Sequence, residues 1–245
     1  MTALISRESP DFMQEKRLLH TLYTVYAEWI DNFPLECSRG CSACCTQSVT
    51  MSSLEGREIL DFAERNNREK WLREKLARVA PAQNMPAPTM NQFARACLEQ
   101  QETSEEISDA WNFTPCVFLE NDICTIYEVR PFGCRSFGSL VRCADAGTAH
   151  MSPIHLVVNT VFTQIVEHLS RDSGYWANMG DILRNLLEEK EHFNSGNLLT
   201  AQPIPGFLLA PHETRVVFDL LHRLNEQSAG DRTFSDLIDN FMLME

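Results

Sequence analysis

Basic residues are scarce in this 245-residue sequence, where Lys and Arg number 21 against 34 Asp and Glu and the formal net charge is −13. A phosphate backbone needs a basic face, so this balance excludes a non-specific nucleic-acid binder. No uncharged apolar run approaches the roughly 20 residues of a membrane-spanning helix. The stretch from Met1 to Arg17 has no basic segment followed by the roughly 7–15-residue apolar run of a secretory signal. There is no glycine-rich nucleotide loop, no Ser-His-Asp pattern and no H-E-x-x-H. Internal repeats and low-complexity segments are absent as well. Read as a whole chain, the sequence is expected to be cytoplasmic, without membrane or nucleic-acid partners.

What the chain does have is cysteine. Of nine, four fall in Cys37-Ser-Arg-Gly-Cys41-Ser-Ala-Cys44-Cys45, and four more follow at Cys116, Cys124, Cys134 and Cys143. In a reducing compartment clustered thiols hold metal or do redox work more often than they form disulfides. Thiolate is a soft donor that selects zinc, cuprous copper or iron–sulfur clusters, and the C-x₂-C spacing lets two sulfurs reach one ion. The eight divide into two four-ligand sets or form one larger site, and spacing does not decide which cysteine joins which set. Cys44-Cys45 is the awkward pair, because neighbouring side chains on an extended backbone point in opposite directions. Two separate or bridged centres suit it better than one tetrahedral ion. Thiolates around divalent ions leave net negative charge, and Arg39, Arg130, Arg135 and Arg142 lie close in sequence to compensate it. The ninth thiol, Cys97, reads as a buried structural residue that packs like a small hydrophobe.

Around this centre the pattern is helical. With 44% hydrophobic residues the chain can bury a sizeable core. Ser9-Pro10 predicts a helix start, and apolar residues from Phe12 to Phe33 recur at helical spacing until near Pro34. Ser52-Ser53-Leu54-Glu55 reads as a capping box opening a charged helix to about Val79. Pro81, Pro86 and Pro88 mark a loop, and Thr89-Met90-Asn91-Gln92 caps a short helix through Leu98. Two β-prone runs flank Glu120-Asn121-Asp122, predicting a hairpin that brings Cys116 and Cys124 toward each other. Pro153 to Leu169, Tyr175 to Phe193, Pro211 to about Gln227 and Thr233 to Met242 read as helices, with a loop over Asn194 to Ala210. The expected fold is mainly α, a helical domain around a cysteine-rich irregular metal-binding centre with one small β-hairpin. Residues 1–150 are expected to form the cysteine-cluster domain (motif core 37–143), and 151–245 a helical region packed on it.

The order Cys37-x₃-Cys41-x₂-Cys44-Cys45, Cys116-x-Phe-Leu, Cys124-x-Ile-Tyr127, Arg130-Pro131-x-x-Cys134-Arg135 and Cys143 resembles the bacterial cysteine-cluster family, the YkgJ-type CxxCxxCC zinc- or iron-chelating domain. The likeness implies that Cys37, Cys41, Cys44, Cys45, Cys116, Cys124, Cys134 and Cys143 bind zinc or an iron–sulfur cluster. Tyr127, Arg130 and Arg135 would support the sulfurs or the neighbouring backbone through hydrogen bonds. It implies a metal site rather than an activity, so catalytic residues are unknown. One branch of similar proteins comprises flagellin lysine methylases, which makes iron–sulfur-dependent protein methylation an alternative, beside redox or oxidant sensing. A protein partner or protein substrate would follow from these roles.

Other patterns carry less. Cys37-x₃-Cys41-x₂-Cys44 also has the form of the radical S-adenosylmethionine motif. Ala43 stands where an aromatic residue is common there, and strand–helix alternation is missing. His150 and His155 are read as surface or capping residues, because eight cysteines already fill two sites. Glu188-Glu189-Lys190-Glu191 reads as a solvated helix face.

Overall fold

The computed structural model describes residues 10–79, 88–101, 113–172, 174–188, 197–228 and 236. The fold is mainly α. Its helices are α1 (Pro10–Ile30), α2 (Ser53–Arg65), α3 (Glu69–Leu76), α4 (Met90–Leu98), α5 (Phe132–Arg135), α6 (Cys143–Ala146), α7 (Pro153–His168), α8 (Met179–Leu187) and α9 (Pro211–Gln227). The strands are β1 (Thr50–Ser52), β2 (Leu119–Glu120), β3 (Ile123–Cys124), β4 (Tyr175–Asn178) and β5 (Leu199–Thr200).

Both expected capping boxes form. Ser52 accepts from Glu55 N while the Glu55 carboxylate accepts from Ser52 N, and Thr89 and Gln92 do the same at α4. Each box satisfies two otherwise orphaned donors of a helix start. The β2–β3 hairpin is also present, turned by Asn121 and Asp122 at φ 50° and 61°. Asn and Asp tolerate the left-handed conformation that such a two-residue turn requires.

Two apolar cores organise the helices. The first gathers one face each of α1, α7 and α9, including Leu19, Leu22, Tyr26, Phe162, Ile165, Val217 and Leu221. The second gathers Met51, Ile59 and Leu60 with Leu72 and Leu76 of α3 and Ile182 and Leu183 of α8. Between them lies a three-stranded antiparallel sheet of order β1-β4-β5, pairing Met51 with Ala177 and Trp176 with Leu199. Alternation along β4 sends Trp176 to the first core and Ala177 to the second. α2 and α8 pack so closely that a Cβ on Gly56 would lie 2.6 Å from Ile182 Cγ2. Only glycine fits there.

Several elements differ from the expectation. The charged helix expected to about Val79 is two helices, broken at Asn66-Asn67. Asn67 takes φ 53° and the Asn66 amide donates to Phe62 O at 2.7 Å, closing α2 without glycine or proline. The helix expected from Tyr175 begins at Met179, because Tyr175–Asn178 is sheet strand and the Asn178 side chain caps Gly180 N at 2.9 Å. The expected helix at Thr233–Met242, apart from residue 236, lies outside the described residues, as do Ser9, Pro81, Pro86 and the run from Glu189 to Glu191.

Candidate metal centre

The eight clustered cysteines sit on short, irregular backbone between and beside the two cores. Cys37 to Cys45 has turns but no regular element, and Cys116 lies just before the hairpin. Cys124 ends β3, Cys134 lies in the four-residue α5, and Cys143 opens the four-residue α6. All nine cysteines are free thiols, with Cys37 and Cys41 exposed and the rest half-buried. Cys97 is among the half-buried ones, so it is not the fully buried core thiol expected.

Backbone pairing joins these segments. Thr46 and Pro115 form a bridge, flanked by Cys116 N to Cys45 O and Gln47 N to Thr114 O, both 2.9 Å, so Cys45 and Cys116 occupy paired positions. Leu119 N donates to Cys116 O at 3.1 Å, placing Cys116 one turn ahead of the hairpin. The partner of Cys124 across the strands is therefore Leu119, not Cys116. The two thiols still feel each other electrostatically. Ser42 Oγ donates to Asp122 Oδ1 at 2.7 Å, tying the first cysteine loop to the hairpin tip. Farther along, Glu36 N donates to Ser139 O at 2.9 Å and holds Cys37 against the loop that leads to Cys143.

Backbone N–H groups of other residues meet three sulfurs, Cys37 by Ser139, Cys116 by Phe118 and Cys124 by Ile126, and Cys44 is met by its own. Such donors favour the thiolate, the form a metal needs. Burial nevertheless pushes the thiols of Cys37, Cys116, Cys124 and Cys134 up. The nearby charges of Cys41, Cys44 and Cys143 add to this at Cys37, and those of Cys116 and Cys124 at Cys134. Cys44 and Cys45 do not point apart as an extended backbone would require. Cys45 N donates to Ser42 O at 2.9 Å, so the pair lies on a turn. The Cys44 thiol donates to Cys45 Sγ, raising Cys44 and lowering Cys45.

Arg130 is the arginine that the fold brings to the thiols. Its positive charge works to lower Cys44, Cys124 and Cys134, and its guanidinium lies 3.9 Å above the ring of exposed Tyr127. Its buried Nε has no hydrogen-bond partner. Arg135 instead donates to the carbonyls of Arg130 (2.8 Å) and Glu128 (2.6 Å) and lies over Tyr23, bracing the turn before α5. Exposed Arg142 lies 3.8 Å from Asp145, and Arg39 is also exposed.

Some contributors were not visible in the sequence. Glu55, expected only as a helix cap, is a buried hub. Its Oε1 accepts Tyr23 Oη at 2.8 Å and Phe132 N at 2.6 Å, fixing the start of the α5 turn that carries Cys134. Lys75 of α3 lies near Cys116 and pairs with Glu120 at 2.8 Å. His150 is exposed, but His155 is fully buried rather than at the surface. It sits among Tyr26, Trp29 and Phe33, with Nε2 3.2 Å from Tyr26 Oη.

The donor set fits a thiophilic ion: reduced thiols, N–H groups aimed at sulfur and a buried arginine donor without a partner. Among the described residues, no three Cys, His, Asp or Glu side chains yet converge on one point as metal ligands. Residues 36–150 match the CxxCxxCC family model, described as a "Putative zinc- or iron-chelating domain". Comparison with curated proteins and with solved structures gives no match.

Proposed function

We propose, on the premise that residues 36–150 belong to the CxxCxxCC family, that cysteine-bound zinc or iron fastens the irregular belt of this protein onto its helical body. One observation carries this reading. Eight free thiols lie on segments with little regular structure, and those segments are joined to one another by backbone pairing. Bound metal would supply the cross-links between these segments, through the sulfurs of Cys37, Cys41, Cys44, Cys45, Cys116, Cys124, Cys134 and Cys143. Sites closed by four sulfurs leave no open position for substrate, which favours a scaffold that presents a surface to a protein partner. A reducing cytoplasm would keep the thiols available. Among the described residues no helix is long and apolar enough to cross a membrane.

The exposure of Cys37 and Cys41 favours a second reading, an iron–sulfur centre open to oxidants. Anaerobic purification with metal analysis and an absorption spectrum on the same sample tests both. Stoichiometric zinc in a colourless protein supports the scaffold. Iron with acid-labile sulfide and a broad band near ~400 nm supports the oxidant-sensing centre. A folded protein with no metal and all thiols reactive would overturn both.

A further inference from the structure

We propose that His155 is an acid-sensitive latch between the turn after α5 and the helical body, closed by its neutral Nε2–H tautomer and opened when the ring takes a second proton. The hydrogen bonds around it fix that tautomer. Tyr26 Oη lies 2.7 Å from Asn159 Oδ1 and 3.2 Å from His155 Nε2, with Ser136 O farther off at 3.4 Å. Asn159 Nδ2 donates to Ser136 O at 2.9 Å, so its Oδ1 faces Tyr26 and accepts the one proton the hydroxyl can give. His155 Nε2 must then be the donor to Tyr26 Oη. The chain runs in one direction, from His155 through Tyr26 and Asn159 to the carbonyl of Ser136, the residue that closes α5.

Nδ1 is left as a bare lone pair, buried without a hydrogen-bond partner. The imidazole around it is fully buried, and the ring centroids of Trp29 and Phe33 lie 5.7 and 5.4 Å away. Gly138 closes in so tightly that a Cβ there would lie 3.5 Å from His155 Cε1 and 2.9 Å from Leu35 Cδ1. A proton added to Nδ1 would find no acceptor and would leave a cation enclosed by apolar and aromatic groups. His155 also lies in the first turn of α7, where the positive end of the helix opposes a cation.

The surrounding charges work the same way. From α1 the titratable group facing the ring is the Tyr26 hydroxyl, which burial keeps protonated, and the Arg130 guanidinium adds positive charge on that side. The Phe33 and Gly138 segments bring neutral groups, as does α7 through Asn159. Among the described residues no carboxylate pairs with the ring, and burial lowers its pKa. The second proton therefore belongs to the open form. The closed latch contributes stability that is full above the ordinary histidine value of 6.5 and is lost as pH falls from there toward the lowered folded value.

The test uses the full chain as purified, with its histidines labelled with nitrogen-15. Expected for His155 at about pH 7.5 is a neutral ring with its proton on Nε2. The Nδ1–H tautomer, or an imidazolium at that pH, would overturn the latch. Hydrogen exchange over residues 136–159, corrected for the intrinsic rate, is then followed as pH is lowered to about 5. Opening of this segment should rise by up to about tenfold per pH unit below 6.5, while α9 stays protected. His155→Phe keeps an apolar ring in the same cage without the titrating nitrogens, so it should fold and lose this dependence. Thiol protonation and Glu15 are common to both proteins, so the difference isolates His155. A flat response in wild type, or the same response in His155→Phe, would overturn the proposal. If the variant fails to fold, the wild-type tautomer and slope still decide.

Discussion

The helical body and the cysteine belt are built by different physics. The body consists of helices of up to 21 residues whose apolar faces close two cores. Burial of that kind is stabilising at about 25 cal/mol per Å² and needs no further ligand. In the belt the longest regular elements are four residues, and most of residues 37–45 and 113–143 lie outside helix and strand. It reaches the body through a few side chains, chiefly Phe132 in the first core and Phe118 and Ile126 in the second. A segment so poor in buried surface can be ordered by cross-links instead. The contrast teaches where the metal matters: it should govern the belt and leave the body standing.

Two phenylalanines of equal burial sharpen the comparison. Phe162 belongs to the body, whereas Phe132 is two residues from Cys134 with its ring centroid 4.9 Å from Tyr26 and 5.9 Å from Phe162. Replacing either by Ala should cost about 3–5 kcal/mol in denaturant unfolding. Only Phe132→Ala should also weaken metal binding in a competition titration. Equal loss of metal in both variants would erase the distinction between the regions.

Glu55→Gln is expected to cost about 2–3 kcal/mol, because an amide cannot accept all the hydrogen bonds that Tyr23, Ser52 and Phe132 donate to the buried carboxylate. Thermal unfolding measures it, and no change would remove Glu55 as the link between α2 and the Cys134 turn. Arg130→Gln should lower metal affinity by about tenfold with little loss of body stability, since its cation sits beside the thiols. Unaltered affinity would leave that arginine a purely packing residue.

The smallest effect belongs to the body. Burial, then the charge of Asp172, raises the Glu15 carboxyl to about 7 against Arg171. A carboxyl raised on folding adds stability that is fully present below its unfolded value of 4.5 and lost as pH rises through about 7. Glu15→Gln should therefore flatten the stability profile across that window and add about 1 kcal/mol above it, discounted for solvent screening. A wild-type profile without that slope would contradict the burial of a carboxylate there.

Much of the body was legible because helices advertise themselves locally. Apolar spacing placed α1, α7 and α9, and two S/T-x-x-E/Q boxes marked α2 and α4 to the residue. The break at Asn67 and the strand at Tyr175 were not legible. One depends on a left-handed asparagine, the other on β1, a partner more than a hundred residues away. The candidate ligands could be named from spacing and family likeness, but their grouping could not. The Thr46–Pro115 bridge and the Glu36–Ser139 contact join cysteine-bearing segments far apart in the chain, and pairings of that range leave no local pattern. Lys75 carried no signal for the same reason: a lysine on a charged helix looks alike whether or not a thiol lies beneath it.

Hydrogen exchange read by mass spectrometry, on the metal-loaded protein and again after chelation, most directly separates belt from body. Expected is a large rise in exchange over residues 37–45 and 113–143 on metal removal, with α1, α7 and α9 as protected as before. Unchanged protection in the belt, or collapse of protection throughout the chain, would contradict a metal-fastened belt on a self-sufficient helical body.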